Sequence, residues 1–309
     1  MRARISFCLL FLLAACAPTA RGPAPLEPGP VEVVLEAPVF QVLPTQTEIE
    51  FFNPPGMGGV LQLGVGVRIV NPNSVPLTLQ DSDYTVYAWG REVAHGRLTT
   101  SATLAPGAGQ LETLRVAINV EKQPELLQEV RLALRGAPLP LRFEGRLQVR
   151  ALDRNLNFGP LAFLTMQVTD KKTAASPVLH VMPAGSRLSM PQKDIPVAQI
   201  LLEVHNPGEV GYYLFGQSLL LLLDEKPLAV ADLQPIAIPA KATRTVELVF
   251  YPNLQTLSPE TRTLLAGALS GVPMAFSVEG QLRLDILGVG TYDVAPQWRI
   301  QGFISGDDQ

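Results

Sequence analysis

Hydrophobic and polar residues alternate with a period of two through much of this chain, and that period predicts β-strands. One run alternates from Leu61 to Ile69, and the most regular one extends from Leu141 to Arg150. A hairpin is predicted around Gly90, between residues 84–89 and 91–97. Residues 124–136 instead have helical spacing. They begin with a proline and end at Gly136, which can adopt the left-handed conformation that closes a helix.

The first of these runs stops at Asn71-Pro72, and a similar run stops at Asn206-Pro207, 135 positions later. Proline cannot donate to a sheet ladder and asparagine favours turns, so the pair terminates a strand. The same offset relates many other identical residues, including Val75/Val210, Leu79/Leu214, Pro124/Pro259, Gly136/Gly271, Glu144/Glu279 and Gly145/Gly280. So many matches at one offset indicate two copies of one domain.

The second half repeats each predicted element. Alternating strands are predicted at residues 200–204, 246–250 and 276–286, and the five leucines at 219–223 predict a buried strand. A helix is predicted from the capping residue Ser258 to Gly271. The predicted fold is therefore mostly β, with two tandem immunoglobulin/fibronectin-III-like antiparallel β-sandwiches, each with one short α-helix. The predicted domains are 31–169 and 177–304, joined by a short polar segment at 170–176. An insertion at 54–59 is predicted to be a long hairpin loop.

The first residues are typical of an export signal. Arg2 and Arg4 precede a short apolar core, which is too short to span a bilayer. The core ends at Ala15, directly before Cys16, and this arrangement resembles the lipobox of bacterial lipoproteins. The resemblance implies a signal peptide at 1–15, cleavage after Ala15 and lipidation of Cys16. Because Ala17 follows rather than aspartate, it also implies delivery to the outer membrane where one exists. The alternative is an ordinary secretory signal with an incidental cysteine.

Residues 16–30 are rich in proline and predict an extended tether, which could reach roughly 40 Å. Of the two cysteines, Cys8 lies within the signal. Cys16 alone would remain, so we expect no disulfide within the mature chain. Membrane attachment would depend on the acylated Cys16.

Composition limits the classes of partner. Aromatic residues are 6% of the chain, so an aliphatic core is expected. Without the two arginines of the predicted signal, the chain has 22 basic and 28 acidic residues, which gives a net charge of −6. Because basic residues form no cluster, nucleic acid is not an expected partner.

The residues that could carry chemistry have structural explanations. His95, His180 and His205 form no metal-ligand pattern and are expected on strand surfaces. Asp81 and Asp83 lack the rest of a calcium loop and are expected in a solvated turn. Glu144 and Glu279 are expected on polar strand faces, as solvated residues or cross-strand pairs. We therefore predict no catalytic residue, no metal site and no cofactor, and we do not expect an enzyme.

A family resemblance depends on residues of the first half. Asn71-Pro72-Asn73-Ser74, Leu79, Tyr84-Thr85, Gly90-Arg91-Glu92 and Gly96 resemble late embryogenesis abundant type 2 proteins, also called the WHy (water stress and hypersensitive response) domain. The resemblance implies a compact β-sandwich linked to desiccation and other stress, with no catalytic residues. In the second half, Glu225 and Ala231 replace the two glycines.

Three hypotheses follow for function. The first is a cell-envelope lipoprotein that binds or shields protein clients during water stress, without catalysis. The second is a module that binds lipid or another apolar ligand between its sheets, for which an open apolar cavity would argue. The third is a structural or adhesion spacer of the envelope.

Overall fold

The computed structural model describes residues 2–7, 31–192, 195–286, 290–294 and 298–306. These residues are mostly in antiparallel strands, with two α-helices among them, and this confirms the predicted fold class. The predicted cleavage residue Ala15, the lipidation residue Cys16 and the tether 16–30 lie outside the described residues.

Within residues 2–7 and 31–168, the first half contains twelve strands and one α-helix. They are β1 (Arg2–Phe7), β2 (Val31–Glu36), β3 (Val39–Val42), β4 (Glu48–Asn53), β5 (Val60–Val70), β6 (Leu77–Leu79), β7 (Ser82–Ala88), β8 (Arg91–Leu98), β9 (Thr103–Leu104), β10 (Gly109–Asn119), α1 (Leu127–Leu134), β11 (Leu139–Ala151) and β12 (Arg154–Val168). One sheet has the order β10-β5-β3, with β4 also on β5. A second has the order β8-β7-β11-β6-β9, with β12 also on β11. β1 pairs with β2.

The described residues of the second half contain nine strands and one α-helix. They are β13 (Val178–Val181), β14 (Arg187–Gln192), β15 (Ile195–His205), β16 (Tyr212–Leu223), β17 (Lys226–Ile238), β18 (Thr243–Phe250), α2 (Pro259–Leu269), β19 (Met274–Ile286), β20 (Gly290–Asp293) and β21 (Trp298–Ile304). The sheets have the orders β13-β15-β14, with β18 on β15, and β17-β16-β19-β20, with β21 on β19.

Contacts divide the chain into two compact units. Unit 1 comprises Met1–Thr47, Val65–Arg115 and Pro140–Met166, and unit 2 comprises Glu48–Gly64, Val116–Leu139 and Gln167–Gln309. This division by contacts assigns segments 48–64 and 116–139 to the same unit as the second half. The predicted domains 31–169 and 177–304 were defined by the sequence repeat, whereas these units are defined by contacts. The predicted domain boundaries therefore stay predictions.

The predicted periodicities are confirmed as elements. The run from Leu61 to Ile69 lies in β5, and its alternate leucine, valine and isoleucine side chains are fully buried. β7 and β8 form the predicted hairpin. The first helix begins as a 3-10 turn at Pro124–Leu126 and becomes an α-helix at Leu127. The second begins as predicted, because the Ser258 hydroxyl accepts a hydrogen bond from the Thr261 N–H.

The insertion at 54–59 is the predicted hairpin loop. Asn53 at the end of β4 pairs with Val60 at the start of β5. Inside the loop, the N–H groups of Met57 and Gly59 both donate to the Pro54 carbonyl, at 3.0 and 3.2 Å. Gly56 has a φ of 83°, a conformation that favours glycine.

The core is mostly aliphatic, as expected from composition, but unit 1 also has a cluster of four aromatic rings. Phe163 lies 4.6 Å from Phe40, 6.0 Å from Tyr84 and 6.2 Å from Phe143, measured between ring centroids. The four rings of this cluster belong to β3, β7, β11 and β12. A low aromatic fraction therefore did not predict how the rings are distributed, because tertiary packing brings them together.

Candidate functional site

The repeated asparagine forms a buried hydrogen-bonded corner in unit 1. Asn71 is fully buried. Its Nδ2 donates to the carbonyls of Val75, Leu104 and Ala105, at 2.8, 3.0 and 3.3 Å. Its Oδ1 accepts from the N–H of Asn73 at 2.9 Å. One amide side chain thus joins the end of β5 to the loop between β9 and β10.

Asn206 has a corresponding set of partners in unit 2 and is also fully buried. Its Nδ2 donates to the carbonyls of Val210, Ile238 and Pro239, at 3.0, 3.5 and 3.1 Å. Its Oδ1 accepts from the Gly208 N–H at 2.9 Å. Asparagine suits this position because a single side chain supplies both donors and an acceptor. Pro72 is exposed and Pro207 is partly exposed, and neither can continue the strand ladder.

The glycines of the repeat motif lie where the backbone needs them. Gly136 and Gly271 follow α1 and α2 with φ of 95° and 86°. Each closes its helix by donating to the carbonyl three residues earlier, at 2.8 and 3.1 Å. Gly90 has a φ of 77° in the two-residue turn between β7 and β8.

The second half makes the corresponding turn without glycine. Asp224 and Glu225 connect β16 to β17, with φ of 48° and 62°. These values match the left-handed conformation of Trp89 and Gly90 in the first half. The Glu225 carboxylate forms an ion pair with Arg299. The departure from glycine therefore leaves the turn geometry in place.

Gly96 lies against the ring of Tyr84, its cross-strand partner in β7. A Cβ at position 96 would overlap the Cζ and Cε2 atoms of that ring. At the corresponding positions of the second half, Leu219 pairs with Ala231. The glycine and the bulky ring therefore occur together, as do the alanine and the smaller leucine.

A groove of about 550 Å³ opens beside Tyr84 in unit 1, lined by residues of β8 and β10. Arg97, Glu112 and Arg115 lie around it together with threonines. Burial raises the pKa of Tyr84. The groove is largely polar, so it differs from the apolar cavity that a lipid carried between the sheets would need.

The histidine, aspartate and glutamate residues considered in the sequence lie at the surface or form ion pairs. His95 and His180 are exposed and His205 is partly exposed. Asp81 forms an ion pair with Arg97 at 2.9 Å, while Asp83 lies within β7, so the expected solvated turn is already a strand by residue 82. Glu144 pairs with Arg142 at 3.2 Å, and Glu279 pairs across strands with Arg299 at 3.1 Å.

The part of the chain that the structure describes contains no cluster of three or more histidine, cysteine, aspartate or glutamate side chains suited to a metal. In the same residues, no helix is both long and apolar enough to cross a bilayer.

Sequence reasoning missed an ion-pair cluster in the segment 170–176. The Lys172 Nζ lies 3.2 Å from Asp170 and 2.6 Å from Glu209, and the Lys172 side chain is 11% exposed. Asp170 also accepts from the Ile49 N–H at 2.9 Å. The segment was predicted as a polar joint from composition, but composition gave no signal for partners this distant in sequence.

Burial alone lowers the pKa of Lys172, but hydrogen bonds and charge from Glu209 and Asp170 outweigh it and raise the pKa. We expect Lys172→Met to lower the free energy of unfolding by about 1 kcal/mol at neutral pH, because it leaves two partly buried carboxylates without their cation. The exposed neighbour offers a control, Lys171→Met, with an effect within about 0.5 kcal/mol. A raised lysine pKa contributes stability below about pH 10.4 that is lost as the pH rises further. The free energies of unfolding of the wild type and of Lys172→Met should therefore converge as the pH rises above the pKa of Lys172. A constant difference from pH 7 to 11 in urea unfolding would contradict this account.

Tyr212 is a second feature that the sequence did not indicate. It is fully buried, and its hydroxyl has no hydrogen-bond partner among the described residues. Burial raises its pKa well above the ordinary range. A buried hydroxyl without a partner carries an uncompensated desolvation cost.

We expect Tyr212→Phe to stabilise unit 2 by roughly 1 kcal/mol, because it removes that hydroxyl and little volume. The adjacent Tyr213→Phe is the control of opposite sign, since the Tyr213 hydroxyl donates to the Pro55 carbonyl at 3.2 Å. A raised tyrosine pKa makes stability fall above about pH 10, where only the unfolded phenol ionises. The gain from Tyr212→Phe should therefore grow between pH 9 and 11. Denaturant midpoints at several pH values measure the gain in stability and its growth with pH. A loss of stability in Tyr212→Phe at neutral pH would show that the Tyr212 hydroxyl has a hydrogen-bond partner.

Part of the chain is similar to a known protein family. Residues 66–158 match the family model described as late embryogenesis abundant protein, LEA_2. The curated proteins contain no match to this sequence. A crystal structure of a protein from Archaeoglobus fulgidus has 13% identity and a TM-score of 0.24, covering 44% of this chain and 98% of that chain.

Two other solved structures are similarly distant. Red sea bream transglutaminase has 10% identity and a TM-score of 0.27, covering 88% of this chain and 32% of that chain. The YadV chaperone has 13% identity and a TM-score of 0.20, covering 85% and 98%. The matched segment contains Asn71, Tyr84, Gly90 and Gly96, the residues on which the sequence resemblance depends. Residues 66–158 are therefore the part of the chain that is similar to the late embryogenesis abundant type 2 family.

Proposed function

We propose that this protein is a non-catalytic cell-envelope lipoprotein with two WHy-type domains, which shields client proteins during water stress. The observation that carries the proposal is the family match over residues 66–158. The corresponding hydrogen bonds of Asn71 and Asn206 support a second domain of the same kind in the second half.

A charged outer surface supports shielding. Along β11, the buried side chains of Leu141, Phe143, Leu147 and Val149 alternate with outward Arg142, Glu144, Arg146, Gln148 and Arg150. Charges of both signs hold water and favour solubility at high concentration, and the mature chain has a net charge of −6. A folded, soluble protein of this kind would keep drying client molecules apart without a specific binding site.

Shielding is tested by drying a desiccation-sensitive enzyme with the purified protein or with an equal mass of albumin. We expect a higher recovery of enzyme activity with this protein. A variant that combines Arg142→Gln, Glu144→Gln and Arg146→Gln should protect less, because its outer face holds less water. We expect it to keep the fold, because these three side chains lie on the outer face of β11. Equal protection by albumin, together with unchanged desiccation survival of a deletion strain, would remove the stress role.

The anchor is tested separately through Cys16→Ser. We expect acyl labelling of the wild-type protein and none of the variant, since the thiol is the proposed acylation site, and we expect the variant to leave the membrane fraction. Cys8→Ser is the matched control and should be labelled and fractionate as the wild type does. Acyl labelling that persists in Cys16→Ser would exclude the lipobox interpretation.

A further inference from the structure

One sheet of unit 2 has an apolar outer face. In strands β17, β16, β19 and β21, one set of alternate side chains is buried in the core and the other set lies on the outside. Antiparallel sheets usually carry polar side chains on a solvated face. Here Val230 and Phe303 are 61% and 67% exposed. The apolar side chains of this surface, the apolar face, are Leu220, Leu222, Pro227, Val230, Ala275 and Phe303.

The corresponding face of the first half is polar. In the second half, Val230 of β17 pairs with Leu220 of β16. The same places of the first-half hairpin hold His95 and Thr85. Because both copies form the same ladder, the sheet itself does not require apolar side chains there, and their exposure is typical of an interaction surface. The other differences between the two halves on this face are Tyr87/Leu222, Glu92/Pro227 and Arg142/Ser277.

Unpaired carboxylates lie at the rim of the apolar face. Asp224 and Asp232 are exposed there, and neither forms an ion pair with any residue that the structure describes. Asp232 accepts a hydrogen bond from the Ser218 N–H at 2.7 Å, which leaves the negative charge of the carboxylate in place. The rim therefore offers two carboxylates to a partner.

The cations of the same rim are already engaged. Arg299 forms ion pairs with both Glu225 and Glu279, so one cation serves two carboxylates. Lys226 lies 3.0 Å from Glu260, measured between Nζ and Oε2. The rim therefore carries an excess of negative charge, and electrostatic complementarity favours a partner with positive charge.

A pocket of about 290 Å³ lies at the Phe303 end of the apolar face. Ala275, Phe276 and Phe303 form its apolar walls, and Asp224 and Glu225 also line it. The methylene groups of a lysine or arginine side chain can lie on apolar walls while the charged end reaches a carboxylate. The pocket therefore suits a basic side chain of the partner.

We propose that the apolar face docks an amphipathic helix of a partner protein, whose apolar side is flanked by lysine or arginine. The ladder already uses the backbone groups of the inner strands, so the partner contacts side chains, and a helix satisfies its own backbone hydrogen bonds. The face extends from Val230 across β16 and β19 to Phe303, roughly 20 Å, which a helix of about 13 residues covers. This docking is independent of the shielding role, which needs no specific site.

The negative rim disfavours two other occupants of the apolar face. An anionic bilayer would bring like charge against Asp224 and Asp232. A second copy of this face would do the same, and the mature chain has a net charge of −6. A basic helix is the occupant that both the apolar side chains and the carboxylates favour.

Fluorescence anisotropy of a labelled helical peptide tests the proposal with the full-length protein. The peptide has about 14 residues, with leucines on one side of the helix and lysines on the other. We expect saturable binding that weakens as salt is added. A peptide with glutamate in place of lysine, and one with the same residues in scrambled order, should bind at least about tenfold more weakly. No binding of the lysine peptide, or equal binding of either control peptide, would overturn the proposal.

Apolar variants locate the site. The double variant Val230→Ser/Phe303→Ser should weaken binding of the lysine peptide at least about tenfold, because it removes the two most exposed apolar side chains of the face. Val178→Ser is the matched control, since Val178 is an exposed valine on the other sheet of unit 2, and it should bind as the wild type does. Urea midpoints show that each variant is folded. Equal weakening by the double variant and the control would refute the site.

Charge variants test the rim. Asp224→Asn/Asp232→Asn should weaken binding of the lysine peptide about fivefold and reduce its dependence on salt, because two carboxylates are lost. Glu203→Gln, an exposed position on the other sheet of unit 2, is the control and should change neither quantity. Unchanged affinity in the aspartate variant would show that the partner is not chosen by charge and would overturn the proposal.

The other occupants are tested with the same apolar variant. In Cys16→Ser, which lacks the proposed acylation site, vesicles of phosphatidylcholine and phosphatidylglycerol should not bind. Sedimentation should give the same mass for this protein with and without Val230→Ser/Phe303→Ser. Vesicle binding that the apolar variant abolishes would assign the face to membrane, and a dimer that it dissociates would assign the face to a second copy. Either result would overturn the proposal.

Discussion

Asn71→Ala is expected to lower the free energy of unfolding of unit 1 by about 3 kcal/mol. The substitution removes the donor of three backbone carbonyls and the acceptor of the Asn73 N–H. Each buried polar group left without a partner costs roughly 1–3 kcal/mol, and some of these groups would regain solvent. Asn206→Ala should have a similar effect on unit 2, because its partners correspond.

Chemical denaturation followed by circular dichroism measures these losses. Asn155→Ala is the matched control, because Asn155 is exposed and its loss should change stability by less than about 0.5 kcal/mol. Asn71→Asp separates the two functions of the side chain, since it keeps the acceptor and loses the donors. If Asn71→Ala proved as mild as Asn155→Ala, the buried corner would not be a principal source of stability.

Gly96→Ala is expected to destabilise unit 1 by about 2 kcal/mol. The added methyl group would overlap the buried ring of Tyr84, and overpacking of this kind typically costs about 1–3 kcal/mol. The second half solves the same packing problem with Leu219 and Ala231. The double variant Tyr84→Leu/Gly96→Ala copies that solution and should be more stable than the sum of the single effects predicts.

A double-mutant cycle measures this coupling, which we expect to be about 1–2 kcal/mol in favour of the pair. Gly90→Ala is the control glycine, because a Cβ there meets no other atom within 4 Å. Any loss at Gly90 comes from its φ of 77° and should not depend on residue 84. Additive effects of Tyr84→Leu and Gly96→Ala would show that the ring and the glycine are not matched.

Local order along the chain was predictable from residue type and spacing. A period of two identified β5 and β11 because alternate side chains of a strand point to opposite faces. The turn residue Gly90 identified the hairpin of β7 and β8. Ser258 and the glycines after the helices marked helix ends, because caps act over one turn. The same local information identified the repeat of Asn71 at Asn206, since matching residues recur at a fixed distance in sequence.

Contacts between distant residues were not predictable. The Asn71 amide binds Leu104 and Ala105, more than thirty positions away, and no spacing rule specifies such partners. In the sequence, Lys172 is one polar residue of the segment 170–176. Only the tertiary structure brings Glu209 beside it. The Tyr212 hydroxyl has no hydrogen-bond partner among the residues that the structure describes, and this depends on its packed surroundings and not on its neighbours in sequence.

The sequence by itself determined the β class, the place of each helix and the internal repeat, because these depend on interactions within a few residues. The tertiary structure alone decided which polar groups are buried together and how Gly96 accommodates Tyr84. Such features depend on the three-dimensional approach of segments far apart in the chain, and a linear pattern of residues contains no measure of that approach.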